Sequence, residues 1–212
     1  MPESVTGVQR VLAWPRAYNF VQDALGSVAA RRRLVAEHIR PEPGCRLLDI
    51  GCGPGHILEA LPADLRYVGF DASPAYVEAA RHRWSDRGEF HCTTVEQADF
   101  GERRFDVVLA TGILHHLDDA ASDSLLALAA RALAPGGRFI ATDATYIRDQ
   151  PRVARWLIDR DRGEHIRPAG GYADLAKPWF ESVGLTVRGD FLRLPYTHAV
   201  LECAEPRVSR AS

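Results

Sequence analysis

The sequence predicts an α/β fold: a doubly wound, mostly parallel sheet of seven strands, a helical cap at the N-terminal end and an antiparallel strand at the C-terminal end. Three observations carry this expectation. Between residues 45 and 143 short apolar runs alternate with helical patterns, the signature of a parallel sheet covered on both faces. The run Leu47-Leu48-Asp49-Ile50 enters the turn Gly51-Cys52-Gly53-Pro54-Gly55, as a buried strand does where its C-terminal end approaches a ligand. Two further apolar runs close to the end of the chain are near enough in sequence to pair as a hairpin.

The elements follow in order. From Val8 to Ile39 the apolar spacing is helical, with Val21, Ala24, Leu25 and Val28 on one stripe, and Pro41, Pro43 and Gly44 end it. A strand is expected at Cys45–Ile50, a short helix at His56–Leu61 closed by Pro62, and a second strand at Arg66–Phe70 ending in Asp71. Pro74–Arg87 reads as a helix because Ser73 suits an N-cap, Pro74 suits the first helical position and Gly88 follows. Strands are expected at Glu89–Thr94 and Phe105–Ala110, then a helix at Ala120–Leu133. The Pro135-Gly136-Gly137 turn leads to a fifth strand, Arg138–Asp143. After this the pattern weakens. Tyr146–Arg167 is rich in arginine and aspartate, and Tyr172–Val183 resumes a helix that Pro178 interrupts. Leu185–Leu194 and Thr197–Ala204 form the closing hairpin around Pro195.

Composition narrows the function. The chain has 212 residues, 46% hydrophobic and 25% charged, with a formal net charge of -2. That length suits one domain, and the charge gives no electrostatic drive toward nucleic acid or a membrane surface. Lys177 is the only lysine, so arginine supplies nearly all the positive charge. Cys45, Cys52, Cys92 and Cys203 form no CxxC pair, which points to reduced thiols rather than a disulfide framework or zinc site. No basic-then-apolar leader and no long apolar run is present, so a cytoplasmic location is expected.

The glycine turn is selective about its ligand. A dinucleotide fingerprint needs glycine at position 56, where His56 stands. Asp49, two residues before the turn, repels a pyrophosphate but suits a cationic amine. Asp71 follows Gly51 by 20 residues, the separation at which a carboxylate reaches ribose hydroxyls. A ligand with a ribose and an ammonium group fits both.

With these residues in hand, Leu47–Gly55 resembles motif I of the class I S-adenosylmethionine-dependent methyltransferases. The likeness continues through Gly69-Phe70-Asp71-Ala72-Ser73-Pro74, Phe105-Asp106-Val107-Val108, Ile113-Leu114-His115-His116-Leu117 and Leu133-Ala134-Pro135-Gly136-Gly137-Arg138-Phe139. It covers roughly residues 45–145 and implies a Rossmann-like fold with S-adenosyl-L-methionine as cofactor. By resemblance, Asp49, Gly51, Cys52 and Gly53 surround the methionine part. Asp71 and Ala72 lie at the ribose, Thr94 and Val95 at the adenine, and Ala110 and Thr111 line the end of strand four. Many relatives carry an acid where Thr94 stands, so adenine recognition departs from the common pattern. On this reading the chain is one domain. Residues 1–44 form the cap, 45–145 the cofactor-binding core, 146–175 a substrate-side insertion, and 176–204 the last helix and hairpin.

Methyl transfer is an in-line displacement in which orientation does most of the work, and a base is needed only for an acceptor that must lose a proton. His115 is the first base candidate, with Asp143 orienting it and His116 beside it; no histidine or acid cluster has metal-ligand spacing in the sequence, so no metal is expected. Tyr18 from the cap, and Tyr146, Arg148 and Arg167 from the insertion, are candidate acceptor contacts. The expected function is O-methylation of a small molecule such as a sugar or secondary metabolite. N- or C-methylation and a non-catalytic binding role stand as alternatives, and an NAD-dependent oxidoreductase is disfavoured by His56. Neither the acceptor nor the oligomeric state, monomer or dimer, can be read from the sequence.

Overall fold

The computed structural model describes residues 27–161 and 163–207. Residues 1–26 of the cap expected over residues 1–44 lie outside them, and so does Tyr18. Seven strands form one sheet: β1 (Arg46–Ile50), β2 (Arg66–Asp71), β3 (Gly88–Cys92), β4 (Phe105–Thr111), β5 (Leu133–Ala144), β6 (Phe180–Arg188) and β7 (His198–Pro206). Their order is β3-β2-β1-β4-β5-β7-β6. Strand β7 runs antiparallel to both neighbours, and the remaining pairs are parallel. The winding reverses between β1 and β4, and it is at such a reversal that open α/β sheets bind ligands, beyond the strands' C-terminal ends.

Side chains alternate across each strand, so a buried parallel strand needs apolar residues on both faces. Leu48, Ile50, Phe70, Val108 and Phe139 pack on one face with helices α3 (Asp119–Ala132) and α5 (Ala169–Ala176). Leu47, Tyr67, Leu109, Ile140 and Val200 pack on the other. That second face is covered by α1 (Ser27–Leu34), its wider continuation Val35–Ile39, and α2 (Pro74–Trp84). The Ser73 hydroxyl accepts from the Tyr76 N–H at the start of α2, and Asp118 caps α3 by accepting from the Ala121 N–H at 2.8 Å. Helix α4 (Arg152–Ile158) occupies the expected weak stripe. Among the described residues no helix is long and apolar enough to cross a membrane.

Four expectations are corrected. The helix expected at Tyr172–Val183 stops with α5 at Ala176, and residues 180–183 begin β6. Lys177 keeps helical geometry and its N–H still donates to the Ala173 carbonyl, but Pro178 has no N–H with which to continue the ladder. Strand β6 then ends at Arg188 rather than Leu194, where Asp190 folds back and both its carboxylate oxygens accept from the Arg188 guanidinium. Strand β3 ends at Cys92, which leaves Thr94 and Val95 in the following loop. The helix expected at His56–Leu61 is a single tight turn, His56–Glu59.

Candidate active site

The turn after β1 is held by backbone. The Gly51 and Cys52 N–H groups both donate to the Phe70 carbonyl, at 2.8 and 3.0 Å. Gly51 has φ +71°, and a Cβ there would stand 2.5 Å from the Ile113 Cδ1. Left-handed backbone and a close neighbour together demand glycine. Gly51→Ala should cost about 1–3 kcal/mol, read as a lower urea midpoint for unfolding.

Two carboxylates flank the turn. Asp71, at the end of β2, accepts from the Gly53 N–H at 2.9 Å and from the Ser73 N–H at 2.8 Å. Each oxygen keeps a lone pair for a further donor. Asp49 is 1% exposed. Its Oδ2 accepts from the Tyr67 hydroxyl at 2.6 Å, and its Oδ1 is buried with no hydrogen-bond partner. Burial pushes the Asp49 carboxyl up to about 7; the Tyr67 hydrogen bond opposes this and the Asp71 charge adds to it. Gly69 makes the contact possible, because a Cβ there would meet the Tyr67 ring and Cys52 at 2.9 Å. Cys52 is itself buried, and burial pushes its thiol far up, so it is unreactive packing.

Of the other expected cofactor contacts, Ala72 is exposed beside Asp71, Val95 is half-buried against the core, and Ala110 is buried in β4 next to half-buried Thr111. The Thr94 side chain hydrogen-bonds the Glu96 carboxylate and helps to lower it, second to backbone hydrogen bonding. Thr94 and Glu96 together thus place an acid near the position where Thr94 alone stands in the sequence.

A second polar cluster forms at the ends of β4 and β5. His115 sits in a tight turn after β4, 7% exposed, and its Nδ1 lies 2.8 Å from the Asp143 Oδ1. The same oxygen accepts from the His115 backbone N–H at 3.1 Å. The other ring nitrogen, Nε2, is 3.4 Å from the Asp161 Oδ1. Asp161 follows α4 and is held by the Tyr196 hydroxyl, which donates to Oδ2 at 2.6 Å, and by the Gly163 N–H at 2.9 Å. Burial alone would lower the His115 imidazole, but the hydrogen bonds to Asp143 and Asp161 outweigh it and raise it to about 9. Asp161 is held well below the usual carboxylate range: the His115 and Tyr196 hydrogen bonds overcome its burial. At neutral pH the imidazole therefore carries a proton at both nitrogens.

His116 is exposed, with its ring centroid 4.1 Å from that of His115. The expectation that no ligand cluster exists is corrected: His115, His116 and Asp161 each present a ligand atom, all within 4.8 Å of one another. Sequence spacing hid this, because Asp161 reaches the pair only through the path of the insertion.

The insertion residues serve other ends than expected. Arg167 spends all five donors: Nη1 on the Leu114 and His165 carbonyls, Nη2 on the Leu117 carbonyl and Asp119, and Nε on Asp119. It fastens the insertion to the His115 loop and has no donor left for an anionic acceptor, so the substrate-contact expectation is corrected. Tyr146 donates its hydroxyl to Asp159 at 3.1 Å beneath the Arg155 guanidinium, and Arg148 is exposed. Asp161 and Tyr196 are the site residues that sequence reasoning missed, and no local motif marks either.

Residues 47–137 match the family model described as a methyltransferase domain. Those residues are thus similar to a methyltransferase domain, and the sheet has the fold of the S-adenosylmethionine-dependent methyltransferases. Among curated relatives, the ubiquinone biosynthesis O-methyltransferases of Bradyrhizobium sp. (strain ORS 278) and Azorhizobium caulinodans are each 34% identical, covering 58% and 69% of this chain. The chain spans 51% and 62% of those relatives' own lengths. Among solved structures, the S-adenosylmethionine-dependent methyltransferase SibL superposes with a TM-score of 0.73 at 22% identity, over 97% of this chain and 64% of that one. Human N-acetylserotonin methyltransferase in complex with SAM gives 0.65 at 19%, over 90% and 54%. These likenesses speak for the fold of the methyltransferase domain. The residues of the glycine turn are compatible with such a cofactor: the buried Asp49 Oδ1 is an acceptor without a hydrogen-bond partner, and Asp71 retains capacity for hydroxyls.

Proposed function

We propose that the chain methylates an oxygen of a small-molecule acceptor, a sugar or secondary metabolite. Asp49 and the Gly51–Gly53 backbone would hold the methionine end of S-adenosyl-L-methionine, Asp71 the ribose, and Thr94 with Glu96 the adenine side. The cofactor supplies a sulfonium methyl group that an aligned nucleophile can take by in-line displacement. The chain's own task is to place the acceptor hydroxyl and to deal with its proton. The observation that carries the reading is the buried Asp143–His115 pair, 2.8 Å apart at the ends of adjacent strands β4 and β5. Asp143 fixes the ring through Nδ1 and turns Nε2 toward Asp161, so that the His115–Asp161 pair is where the acceptor hydroxyl would come. The naming of the curated relatives as O-methyltransferases supports oxygen over nitrogen or carbon.

The test is direct. Incubated with S-adenosylmethionine and a panel of hydroxylated small molecules beside matched amines, the protein should release S-adenosylhomocysteine with the hydroxyl compounds. Mass spectrometry should place the added methyl on oxygen. Turnover confined to amines would overturn the oxygen assignment, and cofactor binding without turnover on any class would overturn catalysis.

A further inference from the structure

We propose that His115, His116 and Asp161 form a binding site for one divalent cation of the zinc type, with a coordination position left for an acceptor oxygen. Two imidazoles and one carboxylate are a donor set that favours zinc and its neighbours over magnesium or calcium, which prefer oxygen ligands. The gap between the His115 Nε2 and the Asp161 Oδ1, 3.4 Å, equals the edge of a tetrahedron with bonds of roughly 2.0–2.1 Å. A cation placed there takes the position of the proton that otherwise bridges the two atoms.

The surroundings match those of a built site rather than a chance cluster. Asp143 accepts from the His115 Nδ1 at 2.8 Å, the carboxylate support that fixes a ligating imidazole with its other nitrogen outward. Tyr196 grips the Asp161 Oδ2 at 2.6 Å and leaves Oδ1 turned to His115. Gly163 lets the insertion lie directly on the ring, since a Cβ there would stand 2.2 Å from the His115 Cδ2. The His165 N–H ties the same segment to the His115 carbonyl at 2.9 Å. Three protein ligands with a vacant fourth position is the arrangement of sites where a metal acts on a bound oxygen, lowering the affinity of a hydroxyl for its proton. His116 is exposed, so the cluster can be reached from solvent.

The acceptor's part in this rests on the O-methylation reading; the binding of metal does not. Chelator-treated full-length protein is titrated with Zn2+ by calorimetry and with Co2+ by visible absorption, with no acceptor present. One equivalent should bind, with the intense cobalt bands of a four-coordinate site. His116→Ala, at an exposed position that leaves the core untouched, and Asp161→Asn should each weaken binding by more than the roughly 10–100-fold expected for loss of a supporting residue. Tyr196→Phe should weaken it by roughly tenfold while keeping one equivalent. Circular dichroism of each variant checks the fold, and a rise in the wild-type melting temperature with Zn2+ that His116→Ala abolishes gives a second reading. No stoichiometric binding, or binding unchanged in both ligand variants, overturns the site. Stoichiometric binding without methyl transfer to oxygen leaves the site standing and removes the function; the reverse result removes only the site.

Discussion

His115→Ala lowers kcat by roughly 10²–10⁴-fold and leaves the S-adenosylmethionine Kd within about twofold. The asymmetry follows from position. His115 hangs from the turn after β4 and bonds only to Asp143, Asp161 and the insertion among the contacts described above. The carboxylates and backbone assigned to the cofactor stand on β1, β2 and the glycine turn. Truncation also leaves Asp143, 3% exposed, without its partner, and an unpaired buried carboxyl costs stability. His115→Gln therefore serves as companion, since its amide can donate toward Asp143 while it lacks an imidazole. Turnover should fall in both variants, measured with saturating acceptor, and cofactor affinity by calorimetry should hold in both. Parallel loss of affinity and turnover would make His115 a packing residue.

Asp49→Asn weakens cofactor binding by roughly 10- to 150-fold, the equivalent of one charge-assisted hydrogen bond at about 1.5–3 kcal/mol. The wild-type affinity should also depend on pH. Burial holds the Asp49 carboxyl at about 7, so below that pH it is protonated and offers an ammonium group no charge. Ionisation must precede binding, and Kd should rise by up to about tenfold for each pH unit below 7. Above 7 the affinity levels off until the ligand's own ammonium group loses its proton, at about pH 8. Asp49→Asn should abolish this dependence. Tyr67→Phe removes the hydrogen bond that steadies the carboxylate, and should move the limb to higher pH. A wild-type affinity that is flat across pH 7 would remove Asp49 from the role of ammonium partner.

Much of the fold was legible because it follows from periodic packing. The five alternating strand and helix segments up to Asp143 obey burial on two faces, and a run such as Leu47-Leu48-Asp49-Ile50 has few other uses. The pairing of His115 with Asp143 was legible for a related reason: both sit at the C-terminal ends of parallel strands that neighbour each other. Phe180–Val183 was misread because a four-residue stretch between Pro178 and Gly184 has too little length to separate a period of 3.6 from a period of 2. The insertion resisted for a different cause. Arg167 is satisfied mainly by carbonyl oxygens, which every residue possesses and no sequence displays. Asp161 and Tyr196 meet across a loop after α4 and the connection between β6 and β7, where no repeating pattern constrains the path.

The reversal of winding between β1 and β4 divides labour in the molecule. Strands to one side of it, β1 to β3, carry the groups assigned to the donor, and those to the other side, β4, β5 and β7 with their connections, carry the cluster assigned to the acceptor. Only the seam between two adjacent strands is common to both halves. A lineage can therefore rebuild the insertion and the last hairpin, and with them its choice of substrate, while the donor half stays as it is. The same scaffold becomes a socket with one standard side and one interchangeable side.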